Sequence, residues 1–177
     1  MKKLLTLVLS VVLCASLVAC GGAKSSDITP DVDAESVGGQ HWAKFVAEVE
    51  ANPEATVEDL ANALVTLEIN QFMGGAMPVD PEFFPGFDNY KPENYEAGAM
   101  FMPMIGSIAY VGYVFELAEG ADVAAFVQGL KDNANPRWNI CVEADQTVVG
   151  TKGNKVFFLM CPASYEMPEE AMGGMAL

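Results

Sequence analysis

The chain has 177 residues, of which 51% are hydrophobic and 19% charged, and a formal net charge of −15. That length fits one domain, and the apolar share is too high for a disordered chain. The acidity argues against nucleic acid and anionic lipid headgroups as partners, because both would be repelled.

At the N-terminus, Lys2 and Lys3 precede an apolar run from Leu4 to Ala19. The run is shorter than the roughly 20 residues of a membrane span and has the proportions of an export signal. It ends in Leu17, Val18, Ala19 and Cys20, followed by Gly21 and Gly22. This resembles the bacterial lipoprotein lipobox. The resemblance implies a signal peptide over 1–19 and a diacylglyceryl thioether on Cys20, which becomes the mature N-terminus. Such a chain is anchored to the cell membrane on its extracytoplasmic face and does not span it.

Residues 20–39 are rich in Gly, Ser and Asp and predict a flexible tether. Without Lys2 and Lys3 the charge of −15 becomes −17. The run Asp27, Asp31, Asp33 and Glu35 lacks the glycine and the closing glutamate of a calcium loop, so its acids read as a solvated segment.

A single domain is expected over 40–163. Trp42, Phe45, Val46 and Val49 form a helical stripe that stops before Pro53. His41, the only histidine, is expected at that helix start, exposed or capping. Thr56 and Asp59 form a capping-box variant ahead of a second stripe, Val57, Leu60, Ala61, Leu64 and Val65. Residues 71–97 then hold four prolines, three glycines and the aromatics Phe72, Phe83, Phe84, Phe87, Tyr90 and Tyr95, with no period. A connection of that length in a compact domain asks for a reason. One is a binding surface made by Phe83, Phe84, Phe87, Tyr90 and Tyr95 for an envelope protein, peptide or glycan; the other is a loop whose aromatics close the core.

Met100, Met102 and Met104 alternate along a strand, and after Gly106 and Ser107 a second strand, Ile108 to Phe115, is apolar on both faces and belongs inside a sheet. Asp122 caps a third helix with the stripe Val123, Phe126, Val127 and Leu130, ended by Asn133, Asn135 and Pro136. The stretch 137–145 is ambiguous between helix and strand. Thr147–Thr151 and Lys155–Met160 form a hairpin around Gly153, and 164–177 is a loose tail. The expected fold is α+β, an antiparallel sheet of about four strands with two N-terminal helices and one inter-strand helix packed on one face.

Little in this order points to catalysis. Cys14 leaves with the signal and Cys20 carries lipid, so Cys141 and Cys161 are the thiols of the fold, and in an exported domain they are a disulfide candidate. Glu116 with Glu119 and Glu143 with Asp145 are local acid pairs that read as solvated turns, and no phosphate loop or nucleophile motif is present. No catalytic constellation and no cofactor are assigned. The chain reads as a non-catalytic binding module of the cell envelope. The alternative is an exported copper handler. Met73, Met77, Met100, Met102 and Met104 lie close in sequence, the last three share a strand face, and thioethers suit Cu(I). The "ACGG" start, the polar tether, the "YVFEL" strand, the "GADVAAF" helix and the closing Gly-turn hairpin together resemble small lipoproteins of Gram-positive clostridial gut bacteria. That resemblance implies a location and no mechanism.

Overall fold

A computed structural model describes residues 27–165. Helices α1 (Val37–Ala51) and α2 (Val57–Val65) come first, followed by strands β1 (Gly74–Pro78), β2 (Tyr95–Pro103) and β3 (Val111–Leu117). Helix α3 (Val123–Asn133) and the hairpin of β4 (Gln146–Lys152) and β5 (Lys155–Cys161) complete the order. All pairings are antiparallel, in the order β1-β2-β3-β5-β4. The fold is therefore α+β, with five strands among the described residues where about four were expected. The added strand is β1, inside the stretch expected to be a long connection.

The helices cover both faces of the sheet, where one face was expected, because the central strands are apolar on both. Along β5, Phe157, Leu159 and Cys161 pack with Phe45, Leu60 and Leu64 of α1 and α2, whereas Val156, Phe158 and Met160 pack with Phe126, Val127 and Leu130 of α3. A two-residue period feeding two cores requires cover on each side. On the α3 side the helix does not suffice. Residues 80–94 and 135–144 complete that layer through Phe84, Phe87, Tyr90, Trp138 and Ala144. The stretch 137–145, ambiguous in sequence, forms neither helix nor strand before β4.

The expected tether over 20–39 does not extend through its second half. Ile28 pairs with the outer side of β4: its N–H donates to Thr151 Oγ1 at 2.7 Å and its carbonyl accepts from Thr151 N at 2.8 Å. Asp27 Oδ1 accepts from the Gly153 N–H at 2.9 Å, and Val32 packs on the α1 and α2 core. Helix α1 also begins earlier than His41, at Val37, with the Ser36 hydroxyl accepting from Gly39 N. Glycines 38 and 39 read as tether because they are poor helix formers. Here they permit close approach: a Cβ on Gly39 would run into the backbone of Asp33, and one on Gly38 into Val148 and Gln146. The signal segment, Cys14, Cys20 and most of the expected tail lie outside the described residues.

Candidate functional site

The aromatic loop is a lid on the core. Phe84 and Phe87 are buried, Tyr90 and Tyr95 are half-buried, and only Phe83, at 53%, is exposed. Ring centroids place Phe87 4.8 Å from Phe158, Phe84 5.9 Å from Tyr113 and Tyr95 5.0 Å from Phe115. Tyr113 donates its hydroxyl to the Pro85 carbonyl at 2.8 Å, and burial pushes its phenol well up. Asn135 fastens the loop to the end of α3, its N–H donating to the Gly86 carbonyl at 2.8 Å and its side-chain amide to Asp88 Oδ1 at 2.6 Å. As a contact surface the five aromatics are thus corrected to Phe83 and the outer edges of Tyr90 and Tyr95. Phe84 and Phe87 face inward because β3 and β5 leave that side of the sheet apolar and α3 covers only part of it.

The candidate disulfide is also corrected, since Cys141 and Cys161 are both free thiols. Cys161 is fully buried among the α1 and α2 residues, and its thiol donates toward Gln146 Oε1 at 3.8 Å. Cys141 is exposed in the segment 135–144, which packs on the opposite face. The sheet stands between them. Burial pushes the Cys161 thiol well above its ordinary value, so it is inert as a nucleophile. Between these two thiols, an alkylating agent added to the native protein should label Cys141 alone, with Cys161 reacting only after denaturant is added. Peptide mapping by mass spectrometry checks this, and equal labelling in the native state would refute the burial.

Of the acid pairs, Glu116, Glu143 and Asp145 have structural partners. Glu116 accepts from Asn154 Nδ2 at 2.8 Å and pairs with Lys155 at 3.7 Å; Glu143 pairs with Arg137 at 3.3 Å; Asp145 accepts from Ala163 N at 3.0 Å. Among the described residues no three His, Cys, Asp or Glu side chains stand together as a metal site. No helix of the described residues is long and apolar enough to cross a membrane.

His41 is neither exposed nor a cap. It is fully buried, with Nδ1 2.7 Å from the Val37 carbonyl and Nε2 2.8 Å from the Tyr110 hydroxyl. A carbonyl only accepts, so Nδ1 carries the proton and Nε2 of the neutral ring accepts from Tyr110. Both ring nitrogens are thus occupied by structure.

What remains open is the corner made by β1 and β2. Among the described residues, strand β1 pairs only with β2, and its other side has no neighbouring strand. Met104 N donates to the Met73 carbonyl and Val79 N to the Gly98 carbonyl, both at 2.9 Å, so odd-numbered residues of β1 direct their backbone groups to β2. Gly74, Ala76 and Pro78 direct theirs outward. The same corner carries the exposed apolar side chains: Met73 at 80%, Met104 at 73%, Ile105 at 75% and Met77 at 46%. Asn139 Nδ2 donates to the Gly106 carbonyl at 2.9 Å and so brings the exposed Ile140 toward the same end of the sheet. Of the strand-face methionines expected to suit Cu(I), Met100 is corrected to the α3-side core at 2% exposure, whereas Met102 is half-buried and Met104 open.

This corner is not visible in the sequence, because β1 is not. The available signal was the two-residue spacing of Met73, Gly75 and Met77, which matches the alternation of Met100, Met102 and Met104. Compared with protein families, with curated proteins and with solved structures, the chain matches none.

Proposed function

We propose that the protein is a lipid-anchored, non-catalytic interaction module of the cell envelope that holds an extended polypeptide segment along β1. The observation that supports this most is the difference between the two sheet edges. The outer side of β4 is engaged at Thr151 by the chain's own Ile28, whereas among the described residues β1 presents outward backbone groups beside exposed apolar side chains. Native sheets blunt or cover open edges, and a bare one beside an apolar face is the geometry used for strand addition.

The anchor expected at Cys20 agrees with this placement. Asp27 is held against the β4–β5 turn, and seven residue steps separate it from Cys20, so the tether reaches at most about 25 Å. The chain therefore enters at the β4 edge. Across five strands, about 19 Å of sheet, the open β1 edge is the one farther from Asp27.

A photo-crosslinking residue in place of Met77 tests the reading in intact cells. A discrete adduct with an envelope polypeptide is expected. Ala76→Pro, which removes an outward N–H while leaving the ladder to β2 intact, should weaken that partner's binding about tenfold without lowering stability. Cys20→Ser should release the chain from the membrane. An adduct that persists unchanged in Ala76→Pro, or no adduct at all, refutes strand addition.

A further inference from the structure

We propose that the β1–β2 corner holds one Cu(I) ion between the thioethers of Met73, Met77, Met102 and Met104, over the gap left by Gly75. This goes beyond the edge-binding reading, because it uses the side chains of one face and not the outward backbone groups of β1.

The ladder carries the argument. It pairs Gly75 with Met102 and Met77 with Met100, and the bond from Met104 N to the Met73 carbonyl continues it by one more pair. Residues directly opposite in an antiparallel ladder share a face, and so do residues two apart on one strand. All five methionines therefore lie on one face, the one on which Met100 and Met102 pack toward α3. Gly75 sits in the middle of them, with Met73 and Met77 two residues away on its own strand, Met102 opposite and Met104 diagonal. A Cβ built on Gly75 would have no heavy atom within 4 Å. The centre of the group is thus open space, about 5–8 Å from each flanking Cβ, which the flexible arm of a methionine spans.

The donor set selects the ion. Thioethers are soft and neutral and suit Cu(I), whereas Ca²⁺, Mg²⁺ and Zn²⁺ require oxygen, nitrogen or thiolate donors that the four side chains do not offer. Met100 takes no part, because it is committed to the core. The position calls for Met over Leu: three of the four side chains are at least 46% exposed, where burial rewards neither residue. The acidic surface, at −17 without the signal lysines, raises the local concentration of any cation.

The test uses the full chain in detergent with Cys14, Cys20 and Cys141 changed to Ser, so that no accessible thiol competes. Cu(I) is kept reduced with ascorbate and titrated against bicinchoninate. One equivalent should bind, and in protein labelled with ¹³C-methyl methionine the Met73, Met77, Met102 and Met104 resonances should move while that of Met100 stays. Met73→Leu with Met104→Leu, a volume-conserving pair, should weaken binding about 10–100-fold, and Gly75→Val should do so by filling the gap. The proposal is overturned if none of these four resonances moves, or if changing all four methionines to Leu leaves the affinity as it was. Either result, with the Met77 adduct and its loss in Ala76→Pro intact, removes the metal site and leaves the strand-addition reading standing.

Discussion

Replacing Phe87 by Ala should lower the stability of the domain by about 3–5 kcal/mol, the cost of emptying an aromatic site in a core. The ring is 5% exposed and lies 4.8 Å from Phe158, 5.7 Å from Tyr113 and 5.9 Å from Tyr90. Its backbone is tied as well, through a bridge to Ala134 at the end of α3. The hole left by the ring would therefore be walled by β3, β5 and the α3 connection, none of which can collapse without moving the sheet. Since a domain is stabilised by only about 5–15 kcal/mol, the loss should appear as a fall in Tm of roughly 10 °C or more. Phe83→Ala is the comparison. Its ring is exposed beyond the Asp80–Phe83 turn, and the expected change is within about 0.5 kcal/mol. Urea titration of both variants decides the matter: similar small losses would make residues 80–94 a free contact surface, and the expected disparity makes them the third wall of the α3-side core.

The loop illustrates why parts of the fold were legible in the sequence and others not. The start of α2 was readable because its signal is local: Thr56 and Asp59 exchange hydrogen bonds within four residues, and the stripe behind them has the helical period. The β4–β5 hairpin was readable for the same reason, with Gly153 at φ 63° turning between two apolar runs. Strand β1 had only a weak signal, the two-residue spacing of Met73, Gly75 and Met77. Two glycines and a proline in five residues oppose strand propensity, and the segment is a strand only because the edge of β2 pairs with it over a separation of 20 residues or more. The inward turn of Phe84 and Phe87 is likewise set by what α3 leaves uncovered, which no local pattern records. Half of the methionine face was visible as the alternation of Met100, Met102 and Met104. The other half required the register.

The unexpected burial of His41 leads to the second large effect, a loss of stability as the pH falls through the histidine range. Removal from water holds the imidazole below its ordinary value of 6.5, more than its hydrogen bond to the Val37 carbonyl raises it. Between 6.5 and the lowered folded value, the unfolded chain binds a proton that the folded chain does not. Stability therefore rises with pH across that window, is fully present above 6.5 and declines as the pH falls toward the folded value, with a slope of up to about 1.4 kcal/mol per pH unit. The structural reason is that the neutral ring has no vacancy: Nδ1–H donates to Val37, Nε2 accepts from Tyr110, and Tyr110 is itself 1% exposed against Phe72 and Phe101. A second proton on Nε2 would face the hydroxyl that now donates to it. His41→Ala should cost about 2–4 kcal/mol at pH 7.5, from the cavity and from leaving the Tyr110 hydroxyl without its acceptor. It should also abolish this part of the pH dependence. The comparison is between the two unfolding curves from pH 7.5 to 5.5. Parallel curves would mean that His41 gains its proton without resistance, and that the Tyr110 contact orients the ring without excluding its charged form.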